Sequence, residues 1–396
     1  MLKRSAIILG ALAAIYYAAA WYIVPGALER PNNRVIEHTG YKVSDAAKEL
    51  HASLTIGDLH SDTLLWSRSV LDRADRGHVD VPRLVEGNVA LQVFAAVTKV
   101  PDGLNYDENT ADSDQITLAA MAQAWPIATW SSLLERALYQ ADKLQSAARR
   151  APEALKVIQS RADIDALLAA RAAGKSIVGG LLATEGGHPL EGNIENIDVL
   201  YEAGYRMVGL HHFFDNDLGG SLHGITGEGL NEHGRAVVKA AEERRMIIDV
   251  AHSSPNAVAD VLDMATRPVV VSHTGVRGAC DSVRNLSDDL MRRIASQGGL
   301  IGIGYWDGAV CDISPAGVAA SIVYAVALVG DDHVALGSDY DGATQVAFDT
   351  SELVVLTEAL LKAGLTEETI AKIMGGNLVQ FLRANLPSGD AKAENL

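Results

Sequence analysis

Eight short apolar runs, at 54–58, 90–96, 177–184, 206–210, 246–250, 269–272, 300–303 and 334–337, alternate with amphipathic or alanine-rich stretches along the chain. Runs of that length read as strands. Strands separated by helical stretches make parallel sheets, because a parallel neighbour is reached only through a crossover. Helices are easiest to place at 194–203, 231–244, 254–265, 287–297 and 315–329, where sets such as Ile197, Val199 and Leu200 put apolar residues on one face. Eight strands in this alternation predict an α/β fold, a closed (β/α)8 barrel of TIM type spanning 51–385. A chain of 396 residues accommodates one such domain with insertions.

Between the second and third strands, 112–173 is alanine-rich, mostly helical and interrupted by Pro126. It is too long for a simple barrel helix and is expected to pack over the rim or to form a partner contact, as in a homodimer. A terminal helix at 367–382 is expected to precede a polar, mobile tail, 386–396.

The first 30 residues read differently. No charged residue occurs between Arg4 and Glu29, a span long enough to cross a bilayer as a helix. With Lys3 and Arg4 ahead of it, the positive end stays inside and the remainder crosses. This predicts an N-terminal transmembrane helix in a bacterial-type inner membrane, with the catalytic domain on the periplasmic or extracellular side. The alternative is a signal peptide cleaved after Ala18-Ala19-Ala20, leaving a secreted or periplasmic protein; the apolar run continuing through Trp21, Tyr22, Ile23 and Val24 favours the anchor. A polar linker is read at 31–50. Cys280 and Cys311 are the only cysteines, so no disulfide framework or cysteine metal site exists, and the two either pair or stand apart as small apolar residues. Fifty acids against 33 bases give a net charge of −17, which repels phosphate backbones and excludes a nucleic-acid partner.

Barrels of this kind carry their chemistry at the C-terminal ends of the strands. Polar residues with ligand atoms stand there repeatedly: His60 and Asp62 in GDLHSDTLL, Glu185 in ATEGGH, His211 and His212 in GLHHFFDN, His252 in IIDVAHSS, His273 in VVVSHTG, and Asp339 and Asp341 in GSDYDG. His60 and Asp62, two apart on an extended chain, project to one side and can clamp a divalent cation. His252 and His273, on neighbouring strands, can hold a second, with Glu185 between the two sets in barrel order. Mixed nitrogen and carboxylate donors suit Zn2+ best, with manganese or cobalt as alternatives. Each motif alone has an ordinary structural explanation: a turn, a helix cap, a surface histidine. Their joint occurrence at strand ends is what argues for two metals per chain. His38, His51, His78, His223, His233 and His333 lie in linkers, loops or helices and are expected at the surface, while His188 is ambiguous because it is close to Glu185.

From about residue 50 to 385, the motifs DLHSDTLL, EGGHPLEGN, RMVGLHHFFDN, IIDVAHSS, PVVVSHTG, RNLSDD, GSDYDG and MGGN occur in an order that resembles the renal, or membrane, dipeptidase family of the amidohydrolase superfamily. The resemblance implies a two-zinc barrel that hydrolyses dipeptides or related small amides by a hydroxide shared between the metals. It makes His60 and Asp62 ligands of one zinc, His252 and His273 of the other, and Glu185 the bridge. It selects His212 over His211 for substrate binding and oxyanion stabilisation, Arg284 for the substrate's C-terminal carboxylate, and Asp339 for proton handling. Tolerance of a C-terminal D-residue is left open, since the stretch after the first motif and the insertion match only loosely. Two alternatives stand beside this reading: another amidohydrolase-type hydrolysis, of a lactone, β-lactam or small amide, and a non-catalytic metal-binding barrel. The opening HxD and the bridging glutamate, in place of HxH and a modified lysine, rank lactonase and phosphotriesterase chemistry second.

Overall fold

In the computed structural model, which describes residues 23–389 together with Ser5, Gly10, Tyr16 and Ala18, eight parallel strands close on themselves. They are β1 (Ile56–Asp58), β2 (Val89–Val97), β3 (Val178–Glu185), β4 (Tyr205–Gly209), β5 (Ile247–Asp249), β6 (Val270–Thr274), β7 (Leu300–Ile303) and β8 (Val334–Leu336). Each pairs with the next, and β8 returns to β1 with Leu336 opposite Asp58. All eight apolar runs expected to be strands are therefore strands of one barrel.

The period-two alternation of a strand divides the core in two. Leu91, Val93 and Ala95 of β2, Leu181 and Ala183 of β3, and Met207, Ile247, Val270, Leu300 and Ala335 fill the barrel interior together with Leu378 and Leu382. Phe94, Ala96, Leu182, Val208, Ile248, Val271, Ile301 and Leu336 point outward into the layer of helices. Those helices are Asn196–Glu202, Glu232–Glu243, Pro255–Met264, Asp288–Ser296 and Pro315–Val329, close to the expected bounds. Asn231, Ser254, Ser287 and Ser314 start four of them by accepting a backbone N–H three residues on, about 1 kcal/mol each.

One expectation needs correction. The terminal helix is not continuous: Glu367–Ala371 passes through a wide turn, Lys372–Gly376, into Asn377–Asn385. The reason is steric. A Cβ at Gly375 would lie 2.3 Å from the Thr55 carbonyl oxygen, so the bare backbone lets this turn press against the start of β1. The insertion is mostly helical, and Leu155–Val157 adds a short strand to β3 between the helices Leu133–Arg150 and Arg161–Ala172.

The stretch before the barrel, read as linker, takes part in the fold. Arg34–Val35 pairs with Gln345–Val346, and Asp45–Ser53 is a helix capped by Ser44. Ahead of them the helix Val24–Asn32 carries Glu29, fully buried, which accepts from Arg68 Nε at 2.6 Å and Arg76 Nε at 2.7 Å. Arg68 is also ion-paired to Asp341. Deleting one member of a buried ion pair strands the charges that remain, at a cost of about 3 kcal/mol or more. Glu29→Ala is therefore expected to lower the unfolding free energy by about that amount in urea titrations; a loss below 1 kcal/mol would mean that this helix is not fastened to the barrel.

Among the described residues no helix is long and apolar enough to cross a membrane. The transmembrane helix expected within 1–30 falls mostly on residues outside those described. The tail is described only to Gly389, and its first residue, Leu386, is buried against the barrel. Cys280 and Cys311 form a disulfide, with Cα atoms 5.6 Å apart.

Candidate metal centre

Because the strands are parallel, the residues that follow them meet at one rim. His60 and Asp62 follow β1, Glu185 ends β3, His212 follows β4, His252 follows β5, His273 lies in β6 and Asp339 follows β8. All are buried, as is Arg284 from the loop after β6. Glu185 sits at the middle. Its Oε1 is 3.3 Å from His252 Nε2, 3.4 Å from His60 Nε2 and 3.5 Å from His273 Nε2, and its Oε2 is 3.4 Å from His212 Nε2. Asp62 Oδ1 lies 3.3 Å and Asp339 Oδ1 4.0 Å from His60 Nε2.

The ligand atoms form three overlapping groups: His60, Asp62 and Asp339; His60, Glu185 and His273; Glu185, His212 and His252. The structure thus brings together all the candidate ligands, and adds His212 and Asp339 within ligand reach of the same volume. Of the paired alternatives, His211 turns away to Ser253 Oγ, 2.9 Å from its Nδ1. Asp341 is consumed by Thr63 Oγ1 at 2.8 Å, the His78 amide at 2.6 Å and Arg68, whereas Asp339 faces the cluster.

Local backbone chemistry aims these groups. His252 and Asp339 adopt left-handed conformations, φ 59° and 58°, which cost a β-carbon-bearing residue roughly 1–2 kcal/mol each and turn the side chains back over the barrel mouth. A Cβ at Gly342 would stand 2.1 Å from Asp339 Oδ1 and 3.0 Å from Asp62 Oδ2, so the glycine of SDYDG is what admits the two carboxylates.

The residues fit a pair of cations. Buried polar atoms almost always find hydrogen-bond partners, yet His60 Nε2, Asp62 Oδ1 and Glu185 Oε2 have none. The electrostatics point the same way. Burial, then Glu185, pushes Asp62 up to about 7. Burial, with Asp62 and Glu185 nearby, holds Asp339 well above the usual carboxylate range. Burial, joined by the charge of neighbouring basic groups, depresses His252 and His273 well below the usual imidazole value. Crowded acids beside clustered imidazoles are the donor set that divalent cations satisfy.

Arg284 extends the site on one side. Its guanidinium is 3.3 Å from His252 Nε2, donates to the His273 carbonyl at 3.2 Å and lies 5.2 Å from the Trp306 ring. Among the described residues no carboxylate pairs with it, which leaves buried donors for a ligand's acid.

Several neighbours carried no signal in the sequence. His51, His78 and His223, expected at the surface, are all buried. His51 bonds Thr357 Oγ1 at 2.8 Å, His78 accepts the Asp341 amide at 3.0 Å, and His223 meets the Tyr106 carbonyl at 2.8 Å. His188 stacks on Phe214 with centroids 4.6 Å apart. Tyr106, in the loosely matching stretch, accepts a hydrogen bond from Trp306 Nε1 at 2.9 Å and so joins the wall beside Arg284. Each is buried by a segment distant in the chain, which local patterning does not reveal.

Comparison with known proteins agrees with this architecture. The dipeptidase tcpJ of Claviceps purpurea is 28% identical over 319 residues, covering 78% of this chain and 69% of that protein. Mouse dipeptidase 3 is 28% identical over 225 residues, 51% of this chain and 44% of the relative. Among solved structures, a Rhodobacter sphaeroides metallo peptidase liganded with a phosphinate mimic of L-Ala-D-Ala superposes with a TM-score of 0.67 at 23% identity, over 84% of this chain and 99% of that one. The probable dipeptidase PvdM of Pseudomonas aeruginosa gives a TM-score of 0.70 at 19% identity, over 86% and 98%. The family described as membrane dipeptidase (peptidase family M19) matches residues 44–392, a span that takes in the whole barrel and every side chain converging on Glu185. On that match the chain belongs to the membrane dipeptidase family and is a metallo-dipeptidase.

Proposed function

We propose that this metallo-dipeptidase uses two zinc ions and cleaves dipeptides with a free C-terminal carboxylate, those ending in a D-residue included. The observation that carries the metal assignment is Glu185, a buried carboxylate within 3.5 Å of four imidazole nitrogens on four strand ends. His60 and Asp62 would hold one ion, His252 and His273 the other, and Glu185 both. Mixed imidazole and carboxylate donors favour zinc. Bound there, the ions supply Lewis acidity and a water acidic enough to attack at neutral pH.

The chain's own residues do the rest. Arg284 grips the substrate carboxylate through its guanidinium fork and fixes the register of the scissile bond. His212 Nε2 donates to the carbonyl oxygen as negative charge develops on it. Asp339, raised above the usual carboxylate range and close to His60, receives a proton from the attacking water and passes it to the leaving amine. The mimic of L-Ala-D-Ala held by the Rhodobacter sphaeroides relative motivates the D-residue part of the reading. Its test is a substrate profile over L,L and L,D dipeptides on one sample of known metal content; cleavage of L,L but no L,D members would limit the substrate class.

Arg284→Ala is expected to raise KM at least ~10-fold for free-carboxylate dipeptides and much less for the corresponding amides. Equal effects on both series would remove Arg284 from carboxylate recognition.

The proposal extends to location: a single N-terminal pass with the barrel exported. Lys3 and Arg4 ahead of the apolar run support it, as does the Cys280–Cys311 disulfide, a bond that persists in oxidising compartments. Recovery of the full chain in the soluble cytoplasmic fraction, with both thiols reduced, would exclude it.

A further inference from the structure

Resting on the two-metal reading, we infer that one hydroxyl, that of Ser272, orients a ligand of each metal and fixes both in the same tautomer. Ser272 is fully buried in β6. Its Oγ lies 3.1 Å from His60 Nδ1 and 2.9 Å from His273 Nδ1, although those rings come from strands on either side of the barrel closure. On its other side, the amide of Ser272 donates to Asp249 Oδ1, at the end of β5, at 2.9 Å. Asp249 is itself buried and also accepts the Ala251 amide at 3.0 Å.

With metal on both rings, the hydrogen count closes in one way. A serine hydroxyl has one hydrogen and two lone pairs. A neutral ring that gives Nε2 to a metal keeps its proton on Nδ1, so each ring meets the hydroxyl as a donor. The two lone pairs are then left for two donors, and the atoms facing them are His60 Nδ1 and His273 Nδ1. Both rings then carry their proton on Nδ1, with each Nε2 directed at Glu185, 3.4 and 3.5 Å away. The two rings lie against each other, centroids 3.8 Å apart and planes tilted by 39°, so neither turns without meeting the other. The backbone around the serine is equally confined: a Cβ at Gly302 or Gly337 would come within 2.2 or 2.1 Å of the Ser272 carbonyl oxygen. His252, whose Nδ1 has no partner, lies outside this arrangement and serves as its control. Ser272 is a positioning residue, acting through the two histidines.

Partners that orient a metal-bound histidine are typically worth 10–100-fold in metal affinity. In chelator competition with zinc, full-length Ser272→Ala should lose at least ~10-fold in affinity at both sites, while its metal-free melting temperature stays near that of the unsubstituted protein. Ser272→Thr, which keeps the oxygen, should recover most of the loss. Wild-type affinity at both sites in Ser272→Ala, or a loss confined to one, overturns the inference. A second measurement does not depend on the variant folding. In 15N-histidine-labelled, zinc-loaded full-length protein, His60 and His273 should each show a ring proton on Nδ1, and a proton on Nε2 of either overturns the inference. If the unsubstituted protein bound no zinc at all, the two-metal reading would fail first; two bound ions with unaltered affinity in Ser272→Ala would sink only the role of the serine.

Discussion

Asp339→Asn is expected to cut kcat by ~10²–10⁴-fold while leaving both metal ions in place. The carboxylate lies 4.0 Å from His60 Nε2 and is fastened to no other side chain of the cluster by a hydrogen bond, so it is free to meet a water and a leaving amine in turn. Its left-handed backbone and the bare Gly342 beneath it hold it over the mouth rather than against the wall. Asparagine is close in shape and keeps an oxygen, but an amide cannot take up and return a proton at neutral pH. The predicted signature is a fall in kcat with KM nearly unchanged, because the lost interaction belongs to the transition state. Zinc content read on the same sample separates this from loss of a ligand. Undiminished turnover would take Asp339 out of proton transfer, and loss of one ion would make it a ligand, as its grouping with His60 and Asp62 would allow.

Glu185→Gln should do more damage, and of another kind. Among the described residues, Glu185 is the one carboxylate within reach of both histidine sets. Against the cost of burial, the positive fields of His212 and His60 hold it ionised, well below the ordinary carboxylate range. Glutamine preserves volume but removes the charge and leaves one oxygen where two were needed. Outer partners of ligands are worth 10–100-fold in affinity, and a shared ligand should exceed that, so roughly 100-fold or more is expected at each site. Dialysed Glu185→Gln should then carry less than one ion per chain and show no measurable dipeptide cleavage. Retention of two ions would mean that Glu185 does not bridge.

The barrel was legible because each strand is built around a short apolar run, buried on both faces between the interior and the helices, and such runs are hard to mistake when turn residues flank them. The metal centre was legible for a related reason: His60, Asp62, Glu185, His252 and His273 each stand within four residues of a strand end, and closure of the barrel alone suffices to gather them. What escaped depends on contacts between distant segments. Glu29 looked like the polar end of an apolar segment, and its burial comes from Arg68 and Arg76, about 40 residues further on. His78 and His223 sit in polar loops whose composition says surface, yet Asp341 and Tyr106 close over them. The short strand Leu155–Val157 exists only because β3 offers it an edge. The break in the terminal helix at Gly375 answers to the backbone of β1, not to any local preference.

The most direct measurement is anomalous scattering at the zinc edge from crystals of the zinc-loaded protein. Two peaks about 3.5–4 Å apart, one beside His60 and Asp62, the other beside His252 and His273, with Glu185 between them, are the predicted result. A single peak, or none among those side chains, would contradict it.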